Sequence, residues 1–189
     1  MPENKTFPRD FKWGTATSSY QIEGAPTAGG KGPSVWDSFS HIEGKIKNGD
    51  TGDMACDHYH LWRDDIGLLK KLGVNAYRFS ISWPRIFPTG KENEPNQIGL
   101  DFYSRLVDTL LKNKITPFIT LNHWDIPQGL EDSGGWPERD IVHDFVKYSY
   151  HVSKHLGDRV RNWITHNEPW CISYLGYIEG HKPPGLINK

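Results

Sequence analysis

The chain has 189 residues, enough to bury a substantial core but short of the roughly 250 that a closed eight-stranded parallel barrel takes. Its 22 basic and 23 acidic side chains are interspersed and leave a net charge of -1, which excludes the basic footprint of a nucleic-acid binder. No apolar run reaches membrane-spanning length, and Met1-Pro2-Glu3-Asn4-Lys5 lacks a signal peptide's apolar centre, so no membrane partner and a cytoplasmic setting are expected.

Cys56 and Cys171 are too few and too far apart for a disulfide framework or a zinc site, and neither a metal nor a cofactor is expected. Asn4-Lys5-Thr6 has the form of a glycosylation sequon and is discounted for want of a secretion signal. Trp, Tyr and Phe each occur eight times. Packing explains most aromatics. Several, however, stand beside polar residues, Gly or Pro, in Ser82-Trp83-Pro84, His123-Trp124-Asp125, Gly135-Trp136-Pro137 and Pro169-Trp170. Such element ends are places where sugars are stacked and hydrogen-bonded.

In chain order, the first strand is predicted over Phe11–Thr17, its small residues suited to a crowded interior. From Ser18 to about Asp53 the chain is rich in Gly, Pro, Lys and Asp without clear periodicity, a connection long enough to suggest function. A helix is predicted over Asp57–Leu72, with Trp62, Ile66 and Leu69 on its apolar face and Leu61, Leu68 and Leu72 widening it. Lys70 and Lys71 fill its last turn and Gly73 stops it. The run Cys56-Asp57-His58-Tyr59-His60 invites a metal reading, but its spacing matches no usual site and helix initiation accounts for it. Val74–Ser82 reads as the second strand. After a Pro- and Gly-containing loop, a helix over Ile98–Lys112 carries Phe102, Leu106 and Leu110 inward. The third strand is Ile115–Leu121, with Pro117 placed near its start. Pro137 is expected to open a third helix at its first position, with Ile141, Phe145, Tyr148 and Val152 as the buried stripe and Gly157 as the end. A fourth strand rises from Val160 and delivers Thr165-His166-Asn167-Glu168, where Pro169 stops it.

Strand and helix alternate through four strands, which argues for an α/β fold with a parallel sheet and right-handed helical crossovers. The polar tips all follow strands: Tyr20-Gln21-Ile22-Glu23, Ser80–Trp83, Asn122–Asp125 and Asn167-Glu168. That is the face on which parallel barrels carry their active sites. Gln21, His123 and Asn167 can hydrogen-bond hydroxyls, and Trp124 can supply an apolar wall. Arg78 offers a fixed positive fork that can hold a carboxylate ionised, or could serve as a plain interior ion pair. Glu168 is the titratable group, and a setting among aromatics would favour its protonated form, as a general acid requires. Amides, a histidine and tryptophan around one carboxylate describe a neutral polyol site better than a phosphate or metal site.

Four stretches carry a resemblance: Phe11-Lys12-Trp13-Gly14-Thr15-Ala16-Thr17-Ser18-Ser19-Tyr20-Gln21-Ile22-Glu23-Gly24, Tyr77-Arg78-Phe79-Ser80-Ile81-Ser82-Trp83, His123-Trp124-Asp125-Ile126-Pro127-Gln128 and Thr165-His166-Asn167-Glu168-Pro169. Gly176-Tyr177, Gly180 and Pro184-Gly185 match the loop that follows. Together they resemble the N-terminal half of a glycoside hydrolase family 1 enzyme, the β-glucosidase family. The resemblance implies a TIM-type (β/α)8 barrel, of which residues 1–189 would form one domain, the first four β/α units of eight. It implies retaining hydrolysis of β-glucosides or related β-glycosides. By motif, Glu168 would be the acid/base and Asn167 would contact the sugar's 2-hydroxyl. Gln21 and His123 would hold hydroxyls on the far side of the ring, and Arg78 would neighbour the nucleophilic carboxylate.

The sequence departs from the family where a second carboxylate is needed. A retaining mechanism uses two carboxyl groups about 5–5.5 Å apart. The family's nucleophile lies in an Ile/Val-Thr-Glu-Asn-Gly motif on the seventh strand, and no such motif occurs here. Glu23 and Asp125 are the available substitutes, although the family does not use their positions so. Four units alone would leave the first and fourth strands as open edges. A piece of a larger enzyme is therefore expected, partnered by a complementary C-terminal half barrel in preference to a second copy of itself, and by a β-glycoside or sugar ligand. The alternatives are a non-catalytic sugar-binding or interaction module and a structural piece without function of its own. Saturable glucose binding without hydrolysis in any assembly marks the first.

Overall fold

The computed structural model describes residues 6–187, so Met1–Lys5, with Asn4 and Lys5 of the sequon, and Asn188 and Lys189 lie outside it. Four strands form one parallel sheet in the order β1-β2-β3-β4: β1 Gly14–Ala16, β2 Ala76–Ser80, β3 Thr116–Asn122 and β4 Asn162–His166. β1, β2 and β4 are shorter than their predicted runs, whereas β3 keeps seven residues shifted by one position. Pro117 sits at the second position of β3, as its missing donor requires. At Gly14 a side chain would meet the Ala76 carbonyl oxygen at 2.9 Å, so β1 can lie this close to β2 only with glycine there.

Between the strands run α3 His58–Leu72, α5 Gln97–Lys112 and α7 Ile141–Leu156. Shorter turns complete the chain: α1 Ser19–Ile22, α2 Val35–Ser40, α4 Trp83–Ile86 and α6 Gln128–Glu131. The long segment from Ser18 to Asp53 is thus partly helical. Its α2 is started by a capping box: the Asp37 amide donates to Ser34 Oγ (3.1 Å) and the Ser34 amide to Asp37 Oδ2 (2.7 Å).

The core fills the space between sheet and helices. Trp62 and Ile66 of α3, Phe102, Leu106 and Leu110 of α5, and Tyr148, Val152 and Leu156 of α7 are all buried. Trp83 stacks on Tyr148 at 4.8 Å between centroids, nearly parallel at 10°. The Tyr148 hydroxyl donates to the Leu121 carbonyl (2.8 Å) and lies 3.2 Å from that of Ile81, so α7 is pinned to the ends of two strands. A buried ring of this size contributes about 2 kcal/mol through area alone.

Two expectations are corrected. Leu61, Leu68 and Leu72 are exposed, because α3 buries only the arc of Trp62 and Ile66, with Leu69 partly covered beside it. Pro137 does not open α7, which begins four residues later at Ile141. Gly134 and Gly135, at φ 107° and 62°, turn the backbone first, and Pro137–Asp140 form tight turns rather than helical ones. The Cys56–His60 run is the start of α3: His60 Nδ1 pairs with Asp57 Oδ1 and His58 Nδ1 with Asp65 Oδ2, both at 2.6 Å.

Candidate active site

The loops at the carboxyl ends of the four strands converge. The strand ladder itself sets their spacing, since β3 pairs with β2 on one side and β4 on the other. On β3 the pleat places Phe118, Thr120 and Asn122 on one face and Ile119 and Leu121 on the other. Arg78, at the middle of β2, is half-buried; its Nε donates to Thr120 Oγ1 (2.9 Å) and its Nη2 to Asn167 Oδ1 (2.6 Å). Among the described residues Arg78 forms no ion pair. A guanidinium held by two neutral oxygens keeps its positive charge uncompensated toward the site.

His123 and Trp124 follow directly on β3. Trp124 takes a left-handed backbone, φ 75°, and its indole N–H donates to the Asn167 carbonyl (2.7 Å). The Asn167 amide donates to the Asn122 carbonyl (2.9 Å), and the Asn122 side chain faces His166 Nδ1 at 3.2 Å. The tips of β3 and β4 are therefore tied at three points. Burial, then the positive charge of Arg78, hold the His123 imidazole down to about 4, with Glu168 acting weakly the other way. Neutral His123 offers one donor and one acceptor, which suits a hydroxyl.

Glu168 also has positive φ, 43°, a sparsely populated conformation for a residue with a side chain and one that clusters at functional sites. A π-helical turn, Cys171–Gly176, follows at once, and Cys171 Sγ donates to Glu168 Oε2 at 3.4 Å. The Glu168 side chain is exposed, so the aromatic enclosure expected of it is not supplied by the described residues. The physical reason is its place: among the described residues β4 is an edge of the sheet.

Gln21, on α1, is exposed at the rim of a cleft of about 310 Å³ that it shares with Tyr20, Trp36, His123, Trp124 and Lys182. The structure thus gathers Gln21, His123 and Trp124 in one cleft and links Arg78, Asn167 and Trp124 by hydrogen bonds beside it. Glu168 follows Asn167 but projects outward.

Glu23 and Asp125, the two carboxylates left to substitute for a nucleophile, face away. Glu23 is buried and accepts from Arg85 Nε (3.0 Å) and the Tyr103 hydroxyl (2.6 Å). Asp125 is buried and accepts from Ser19 Oγ (2.6 Å), and burial pushes its carboxyl up to about 8. Thr120, Asn122, Trp36 and Lys182 went unidentified as site residues in the sequence. The polar Thr120 and Asn122 alternating with Ile119 and Leu121 were a usable signal. Trp36, on α2, and Lys182, in the loop after β4, had none.

Against proteins of known kind, residues 3–189 match the model of glycosyl hydrolase family 1. Beta-glucosidase A of Thermotoga maritima is 56% identical over 182 residues, 96% of this chain and 41% of the relative. A bifunctional beta-D-glucosidase/beta-D-fucosidase of Bifidobacterium breve is 54% identical over 184 residues, 95% of this chain and 40% of the relative. Among solved structures, the Thermotoga maritima beta-glucosidase in complex with deoxynojirimycin superimposes with a TM-score of 0.94 at 55% identity, over 96% of this chain and 41% of that one. The chain thus spans about two fifths of the length of the relatives it matches, and its open four-stranded sheet is part of a (β/α)8 barrel. A match that runs across all four strand tips places the chain in glycosyl hydrolase family 1.

Proposed function

We propose that the protein to which this chain contributes hydrolyses β-glucosidic or related β-glycosidic bonds with retention, and that this chain carries the acid/base and part of the sugar site. The observation that carries the reading is the joining of Gln21, His123 and Trp124 in one cleft, tied through Trp124 to the hydrogen-bonded pair Arg78–Asn167, with Glu168 the next residue in the chain. In the proposed mechanism, Glu168 protonates the glycosidic oxygen while a second carboxylate attacks the anomeric carbon. Glu168 then takes a proton from the water that releases the sugar. Asn167 receives the 2-hydroxyl, and Gln21 and His123 hold hydroxyls across the ring. Arg78, unpaired among the described residues, would keep the nucleophile ionised and aligned.

That nucleophile would come from a complementary C-terminal half barrel. Exposed side chains support such a partner: Leu61, Leu68 and Leu72 form a second apolar stripe on α3, and Val142, Val146 and Tyr150 one on α7. Both recur at helical spacing and both lie on the outermost helices. The test is to combine this chain with a polypeptide supplying the remaining strands and assay β-glucosides. An active assembly in which Glu168→Gln costs about 10²–10⁴-fold on a poorly activated glucoside, and much less on an activated one, supports the reading. Activity untouched by Glu168→Gln, or none from a folded assembly, sinks it.

A second reading, sugar binding without catalysis, is favoured by one observation: neither Glu23 nor Asp125 reaches the cleft beside Glu168. Calorimetric titration of this chain with glucose, together with absence of hydrolysis in every assembly, would select it.

A further inference from the structure

Gln21 sits on α1, a single turn of four residues that its own hydrogen bonds cannot hold in place. Buried polar groups clamp it at both ends. At the start, the Ser19 amide donates to Ser80 Oγ (2.8 Å), and Ser19 Oγ donates to Asp125 Oδ2 (2.6 Å). At the end, Glu23 is fixed by Arg85 and Tyr103, and its carbonyl accepts from the Tyr59 amide (3.1 Å). Ser19, Ser80, Glu23, Arg85, Tyr103 and Asp125 are all buried. These buried hydrogen bonds hold the turn in one place.

One bond in it has a special position. Asp125 lies two residues after His123 on the same segment, and Ser19 lies two residues before Gln21. The Ser19–Asp125 contact is a direct hydrogen bond between two segments whose side chains line one cleft. We propose that Asp125, through its hydrogen bond to Ser19, is a positioning residue that sets the spacing of Gln21 against His123 and so governs how the cleft reads a sugar's hydroxyls. The inference rests on the sugar-site reading above. Burial keeps the Asp125 carboxyl protonated near neutral pH, so its Oδ2 accepts from Ser19 as a neutral oxygen, and an asparagine can take over that role.

The experiment measures glucose as a competitive inhibitor of aryl β-glucoside hydrolysis in the assembly of this chain with the remaining strands. Asp125→Ala and Ser19→Ala should each weaken glucose binding and raise KM by about tenfold, with a smaller change in kcat. Asp125→Asn should restore both to within about twofold of the parent. Gln21→Ala should cost about tenfold alone, and little more when added to Asp125→Ala, because a misplaced glutamine has already lost its contact. Additive losses, or glucose binding unchanged in a folded Ser19→Ala variant, overturn the proposal. Should Asp125→Ala not fold, Ser19→Ala and Asp125→Asn decide it. Gln21→Ala without effect on glucose binding defeats the sugar-site reading itself, and the proposal with it.

Discussion

At neutral pH His123 carries no charge, because burial and the neighbouring Arg78 both disfavour the imidazolium. Its folded value of about 4 means that its hydrogen-bonding role is unchanged from about pH 5 upward. Glucose affinity of the assembled protein should accordingly be flat between about pH 5 and 7, as read by calorimetry; a step near pH 6.5 would contradict it. Asp125 titrates with the opposite sign. Its carboxyl is raised from 3.8 to about 8, so its contribution to stability is fully present below about pH 4 and is lost as pH rises through 8. Asp125→Asn should flatten that slope in urea midpoints taken from pH 4 to 9. Arg78→Lys removes the fork that spans Thr120 and Asn167, and a fall in kcat of about 10²-fold is expected. The sequence showed at this scale which side chains end the strands. It hid which carboxylates face inward: Glu23 and Asp125 stand in the same motifs as Gln21 and His123, and only packing turns them into the core.

Element by element, strand and helix positions were legible because their periodicities are strong. Phe102, Leu106 and Leu110 mark α5, and Pro117 falls where a strand tolerates it. The start of α7 was not, since the run Gly134-Gly135-Trp136-Pro137 satisfies a turn as well as a helix N-terminus. The conformations of Trp124 and Glu168 were equally hidden, because nothing in either residue type announces positive φ. Two changes probe how the elements are held. Gly14→Ala should cost about 1–3 kcal/mol, since the new methyl meets the Ala76 carbonyl at 2.9 Å. Tyr148→Phe should cost about 1–2 kcal/mol by leaving the Leu121 carbonyl without its donor. Urea midpoints report both, and a neutral Tyr148→Phe would mean that stacking on Trp83 alone holds α7.

For the whole molecule, an open sheet leaves β1 and β4 each with one unpaired side. The apolar stripes on α3 and α7 flank those edges, whereas α5, between two helices, carries no such stripe. Leu68→Lys and Val146→Lys should therefore change the stability of this chain by no more than about 0.5 kcal/mol while impairing assembly with a complementary half. Native mass spectrometry would show the loss of the complex. The two-carboxylate division can be read directly from stereochemistry. In the assembled protein, Glu168→Ala supplied with azide and an activated β-glucoside should yield the β-glucosyl azide, because the glycosyl-enzyme still forms and the small anion attacks it without base assistance. The α-glucosyl azide, or no azide adduct with hydrolysis undiminished, would contradict the assignment of Glu168 as acid/base.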